Sequence, residues 1–273
     1  IKPWFIPHNS LGIGFIFGPY IGGKLSDNSL VSWFDFATPL WFAALLSFVN
    51  ILLLLWKYED TLINRIHTKI SLLTGFKNII KAFQMPNLRV MFIVVFLLAL
   101  GFNFFTQFFQ VFLIQKFSFN QSQIGDFFAY VGLWIALTQG ILTRLLSKFF
   151  SPKQILPFSI LALSIAFVAL LAPNKSMYIF FIVPFVSMSQ GLTFPNSTAI
   201  ISNLSGKESQ GEVLGINQSM QSLAASISPL IAGVIVSLNR IFPILTASII
   251  TFVAWVVFVF LFKEKRKEVF HED

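Results

Sequence analysis

The chain has 273 residues, of which 56% are hydrophobic and only 11% charged, roughly half the charge of a soluble protein. A mean hydropathy of +0.78 excludes an ordinary water-soluble domain. The net charge of +8 does not imply nucleic acid, because the basic residues sit in short segments between long apolar runs, and the absence of cysteine excludes disulfides, thiolate metal sites and a cysteine nucleophile.

A helix needs about 20 apolar residues to cross the hydrocarbon core. Eight segments present themselves, near Leu11–Leu25, Phe36–Trp56, Val90–Leu113, Phe127–Leu146, Ile155–Ala172, Met177–Ile201, Val213–Leu238 and Ile241–Phe262. The expected fold class is therefore an all-α integral membrane protein with eight transmembrane helices. The first segment is short, and the ten residues before it (IKPWFIPHNS) make a poor first half for a membrane helix. With no initiating Met, the expectation is that the true start is missing.

Basic residues accumulate on cytoplasmic loops. When alternate loops are assigned to one side, four of the nineteen Lys and Arg (Lys24, Lys116, Lys175 and Arg240) fall outside and the other fifteen inside. This split predicts a cytoplasmic C-terminal tail. The loop from Lys57 to Arg89 is longer than the others, and Leu72–Phe83 within it has the pattern of a short amphipathic helix (Leu72, Phe76, Ile79, Ile80 and Phe83 apolar; Lys77 and Lys81 polar). Three parts follow: a helix pair at 1–56 that is the remnant of one bundle, a central cytoplasmic loop at 57–89, and a six-helix bundle with a basic tail at 90–273. Short loops make the six helices antiparallel neighbours, arranged as two inverted three-helix repeats.

The first segment reads Gly14-Phe-Ile-Phe-Gly18-Pro19-Tyr-Ile-Gly22-Gly23. Glycines at this spacing lie on one helix face and allow close backbone approach, and Pro19 removes a helical hydrogen bond. The seventh segment echoes it: with Pro19 set on Pro229, the four glycines fall on Ala224, Ser228, Ala232 and Gly233, all small. A parallel repeat of this kind is a property of secondary transporters.

The Gly-x3-Gly-Pro-x2-Gly-Gly run resembles the fifth-helix antiporter signature of the major facilitator superfamily. Gln210-Gly211-Glu212-x2-Gly215, followed by Ser222-Leu223 and Ser228-Pro229-Leu230, resembles the eleventh helix of its tetracycline and multidrug proton-antiporter branch. Phe194-Pro195-Asn196 ahead of Ser202 resembles the end of the tenth. The resemblance implies a truncated helical bundle of that superfamily, with the eight segments standing for helices 5 to 12. Gly140-x3-Arg144-x3-Lys148 sits where a degenerate gate-loop motif is expected between helices 8 and 9. Arg144 and Lys148 would clasp the cytoplasmic gate; ordinary positive-inside charge explains them equally well.

Carboxamides in lipid are costly and usually face a partner helix or a wet cavity. Asn103, Gln107 and Gln110 share one face of the third segment. Tyr130, Trp134 and Gln139 lie on the fourth, Gln190 and Asn196 on the sixth, and Gln218, Gln221 and Ser222 on the seventh, whereas the fifth and eighth carry neither Asn nor Gln. The first four are the helices that line the cavity in the superfamily, so these residues are expected to converge on a substrate cavity. Interhelical hydrogen bonds are the alternative for each carboxamide taken singly. Two carboxylates could titrate near the membrane, Asp126 and Glu212, and each reads better as an interfacial or N-terminal group favoured by the helix dipole. Three scattered His offer no metal site, and no cofactor is implied.

The resemblance thus implies a secondary transporter of a bacterial-type inner (plasma) membrane, not an enzyme, exporting a small lipophilic or drug-like solute against protons by alternating access. Its partners would be that solute, protons, the lipid bilayer and the missing N-terminal helices. Other readings stay open: a non-transporting or inactive derivative, or a carrier of another solute such as a sugar or metabolite.

Overall fold

The computed structural model describes residues 9–57, 73–86, 88–205, 209–239 and 241–262. Lys2, His8, Leu72, Lys207, Arg240 and the basic tail at 263–273 lie outside the described residues. Every regular element among those described is helical: α1 (Asn9–Leu25), α2 (Thr38–Lys57), α3 (Thr74–Gln84), α4 (Arg89–Phe117) and α5 (Gln121–Leu137), then α7 (Pro152–Ala169), α8 (Ser176–Leu204), α9 (Gln210–Leu238) and α10 (Phe242–Leu261). A π-helical turn, Thr138–Leu142, joins α5 to the short α6 (Thr143–Leu146), so Gln121–Leu146 is one span. Among the described residues seven helices are long and apolar enough to cross a membrane. The described part of α1, 17 residues, covers roughly 25 Å of the ~30 Å core.

Several helices are longer than their apolar cores, because capping side chains satisfy end groups that water would otherwise have to reach. α5 begins six residues before the apolar run at Phe127. There Asn120 Oδ1 accepts from Gln123 N–H at 2.8 Å, and Gln123 Oε1 accepts from Asn120 N–H at 3.0 Å. At α7, Gln154 Oε1 accepts from Ser151 N–H at 2.9 Å. Both are capping boxes written in the sequence as a polar residue followed three later by Gln.

Two compact units are present, Ile1–Leu72 with Ser118–Leu133, and Leu73–Phe117 with Trp134–Asp273. The division passes through α5, whereas the sequence alone divides the chain at its central loop. In the first unit, α2 is an apolar helix with no buried side chain. Its Trp41 and Trp56 are exposed and 15 residues apart, roughly 22 Å along the axis.

In the second unit α4 packs on α10 and α9, and α7 packs on α8 and α10. Six of the largest fully buried side chains are phenylalanines of α4 and α7: Phe92, Phe104, Phe105, Phe109, Phe112 and Phe167. Phe105 joins two of them, with ring centroids 4.7 Å from Phe109 and 4.9 Å from Phe167. Lipid is as apolar as phenylalanine, so this core is held by close-packed dispersion more than by transfer from water. Serines tie α7 to α10: Ser164 Oγ donates to the Ser248 carbonyl at 3.0 Å, and Ser248 Oγ donates to the Ser164 carbonyl at 2.8 Å.

Candidate functional site

The small-residue face of α1 and the polar faces of α4, α5, α8 and α9 are the places where chemistry was expected. On α1, the closest approach is at its last glycine. A Cβ on Gly23 would lie 2.8 Å from the Gln121 carbonyl oxygen and 2.9 Å from Gly125 Cα. The reverse holds too, for a Cβ on Gly125 would lie 2.7 Å from the Pro19 carbonyl oxygen. Gly14, Gly18 and Gly22 have open space where a Cβ would stand. Pro19 lies within the helix, and its carbonyl, not its ring, makes the close approach. Beside this crossing Lys24 pairs with Asp126. Glu212, the third residue of α9, pairs with Lys81 of α3. Asp126 and Glu212 thus each meet a lysine, 102 and 131 positions away, a partnership that no local pattern encodes.

The α4 face opens outward. Gln107 and Gln110 are exposed and Asn103 half-buried, its Nδ2 donating to the Ala99 carbonyl at 2.8 Å. The opposite face of this part of α4 carries the buried Phe105, Phe109 and Phe112, so the helix turns its carboxamides away from the packed side. On α9, Gln218 and Ser222 are exposed and Gln221 half-buried. The small residues Ala224, Ser228 and Ala232 lie on the buried stripe instead. α9 therefore divides the residues of its signature between a packing face and an open face.

α8 behaves differently. Gln190 and Asn196 are buried, and Asn196 Nδ2 donates to the Leu192 carbonyl at 2.7 Å. The Gln190 oxygen has no partner, nor has that of Gln139, which sits in the π-helical turn. These two flank a tight crossing, where a Cβ on Gly191 would meet Thr138 Cβ at 2.9 Å. Thr138 Oγ1 donates to the Trp134 carbonyl at 2.7 Å. A π-turn is a frequent mark of functional positions because it re-aims the side chains around it. Asn217, a carboxamide of the seventh segment outside the expected cavity set, is also buried with an unpaired oxygen. Each such acceptor costs about 1–3 kcal/mol unless a water or ligand reaches it.

Tyr130 belongs to the first unit and is half-buried, while Trp134 begins the portion of α5 in the second. Arg144 and Lys148 are both exposed at the end of α6 and the turn after it. A pocket of about 300 Å³ lies at the α3–α4 and α8–α9 junctions, lined by Gln84, Met85, Pro86, Leu88, Leu204, Ser205, Ser209 and Val213. None of the expected cavity residues lines it. Among the described residues no group of His, Asp and Glu could hold a metal.

Comparison with known proteins agrees with this architecture. The family model for the Major Facilitator Superfamily matches residues 91–272. The chain is 25% identical over 263 residues to Multidrug resistance protein 2 of Bacillus subtilis, covering 95% of this chain and 64% of that protein. It is 27% identical over 242 residues to Multidrug resistance protein 1 of the same organism, covering 88% and 59%. With Quinolone resistance protein NorA of Staphylococcus aureus it shares 26% over 264 residues, covering 93% and 62%. The chain thus spans less than two thirds of the length of these relatives. With the family model running from the third residue of α4 past the end of α10, over an all-helical bundle of membrane length, the chain belongs to the Major Facilitator Superfamily.

Proposed function

We propose that this chain is part of a secondary transporter that exports small lipophilic or drug-like solutes in exchange for protons, by alternating access. The observation that carries this reading is likeness along nearly the whole chain to proteins named for multidrug and quinolone resistance. The open faces of α4 and α9 support it: Gln107, Gln110, Gln218 and Ser222 put hydrogen-bonding groups on otherwise apolar helices. An apolar wall with a few polar groups suits lipophilic molecules of varied shape. In this reading α1 crosses the plasma membrane as an eighth span, the tail is cytoplasmic, and Arg144 and Lys148 serve the cytoplasmic gate. The chain works with a set of helices equivalent to the part of its relatives that it does not cover.

The test is dye retention in bacterial cells expressing the chain alone and together with its upstream reading frame. Lower accumulation of a fluorescent lipophilic cation is expected for the longer form, with the difference abolished by a protonophore and by Gln107→Ala with Gln110→Ala. Equal accumulation in expressing and non-expressing cells, with the protein inserted at normal level, overturns the export reading.

A further inference from the structure

α3 divides its apolar side chains between protein and the outside. Asn78, Ile79, Lys81 and Ala82 share the face turned to the protein: Asn78 Nδ2 donates to Ser219 Oγ at 3.3 Å, Lys81 pairs with Glu212, Ala82 is buried in the core and Ile79 packs half-buried against it. The opposite face carries Leu73, Phe76, Ile80 and Phe83, all exposed, at 58%, 66%, 59% and 53%. Positions 73, 76, 80 and 83 fall within about 80° of one another around a helix, a continuous apolar strip. A helix that keeps Asn78 and Lys81 on protein and still turns four large apolar side chains out is matched to an apolar surrounding.

The depth of that strip follows from α9. Its 29 residues extend roughly 43 Å, so about nine exceed a core of about 30 Å. The excess belongs at the N-terminal end, where Gln210, Glu212, Asn217 and Gln218 lie, because Leu230–Leu238 carries no charged or amide side chain. α3 is held to Glu212 and Ser219, the stretch of α9 at the level of the lipid headgroups. Charge agrees: 57–89 holds six Lys and Arg against Glu59 and Asp60. Lys77 and Arg89 are exposed and make no ion pair among the described residues.

We propose that α3 is an interfacial helix that binds an anionic lipid surface, with Phe76, Ile80 and Phe83 seated at the headgroup–acyl boundary and Lys77 and Arg89 attracting the lipid phosphates. Such helices gain from buried apolar area together with attraction to anionic lipid. The face would hold this segment against the bundle at the membrane surface.

The chain has no cysteine, so a single label reports unambiguously. Ile80→Cys carrying a bimane is reconstituted as the full chain in vesicles with brominated phosphatidylcholine, or with the same fraction of brominated phosphatidylglycerol. Quenching is expected from both lipids. The anionic lipid should be enriched about fivefold at the label, the factor one basic residue contributes near such a surface, and Lys77→Gln with Arg89→Gln should remove the enrichment. Phe83→Cys serves the same purpose if Ile80→Cys expresses poorly. Absence of quenching by either lipid overturns the proposal, whether the label is then reached by aqueous iodide (a solvent face) or shielded from it (a face covered by protein). Equal quenching by the two lipids overturns the anionic preference.

Discussion

Lys24 Nζ stands 3.0 Å from Asp126 Oδ1 and donates to Ser122 Oγ at 2.7 Å, one residue beyond the point where Gly23 and Gly125 bring the backbones of α1 and α5 together. The glycines set the distance and the polar cluster sets the register. The pair is half-exposed, with side-chain exposures of 32% and 47%, so its worth is that of a surface ion pair, about 0.2–1 kcal/mol. Asp126→Asn is therefore expected to lower thermal stability only slightly, and less still in high salt. A loss of several kcal/mol in a detergent unfolding assay would contradict the geometry.

The glycine crossing matters more. Gly23→Ala must displace a backbone carbonyl and a Cα rather than the end of a flexible side chain. It is expected to cost about 1–3 kcal/mol, the usual range for overpacking. Gly18→Ala meets open space within this chain and should leave the Tm nearly unchanged. Similar Tm values for the two variants, measured side by side, would contradict the assignment of the crossing to Gly23.

A second crossing has its own partner. A Cβ on Gly101 would lie 2.7 Å from Thr251 Oγ1 and 3.0 Å from the Ala247 carbonyl oxygen, where α4 meets α10. Gly101→Ala is expected to destabilise by about 1–3 kcal/mol. Adding Thr251→Ala removes the nearer obstacle and leaves the farther one, so the double variant should recover part of the loss beyond additivity. Strict additivity in a double-mutant cycle would contradict the contact.

The start of α2 is pH-sensitive. Hydrogen bonds from the Thr38 hydroxyl and from the Ala37 and Thr38 amides hold the Asp35 carboxyl below its ordinary pKa. A depressed folded pKa means the cap contributes above the ordinary aspartate value and is lost as pH falls through the lower folded one. The Thr38 amide resonance in selectively labelled protein should titrate with a midpoint below that of a free aspartate, and Asp35→Asn should abolish the titration. A midpoint at or above the ordinary value would contradict the cap.

Hydropathy is a sum along the chain, and without reference to folding it points to eight spans in order, seven of which are helices long and apolar enough to cross a membrane among the described residues. The amphipathic period predicted α3, and the Gly-Pro signature pointed to the right family. Helix ends were less legible, since Asn120–Gln123 and Ser151–Gln154 lie outside the apolar runs that define the spans. Periodicity also placed Asn103, Gln107 and Gln110 on one face of α4, but it could not say what that face meets.

That last question needed the tertiary structure, for a physical reason. In water, polarity separates the inside of a helix from its outside; in lipid both are apolar, so a span does not announce which of its faces is packed. Only the assembled bundle decided that Gly23 rather than Gly18 touches α5, that Gln190 and Asn217 are buried while Gln107 and Gln218 are open, and that Ser164 and Ser248 pair across 84 residues. The membrane-spanning helices and the family were determined by composition and local pattern. The contacts between spans depend on which small and polar side chains meet at one depth, and that is a property of the folded chain.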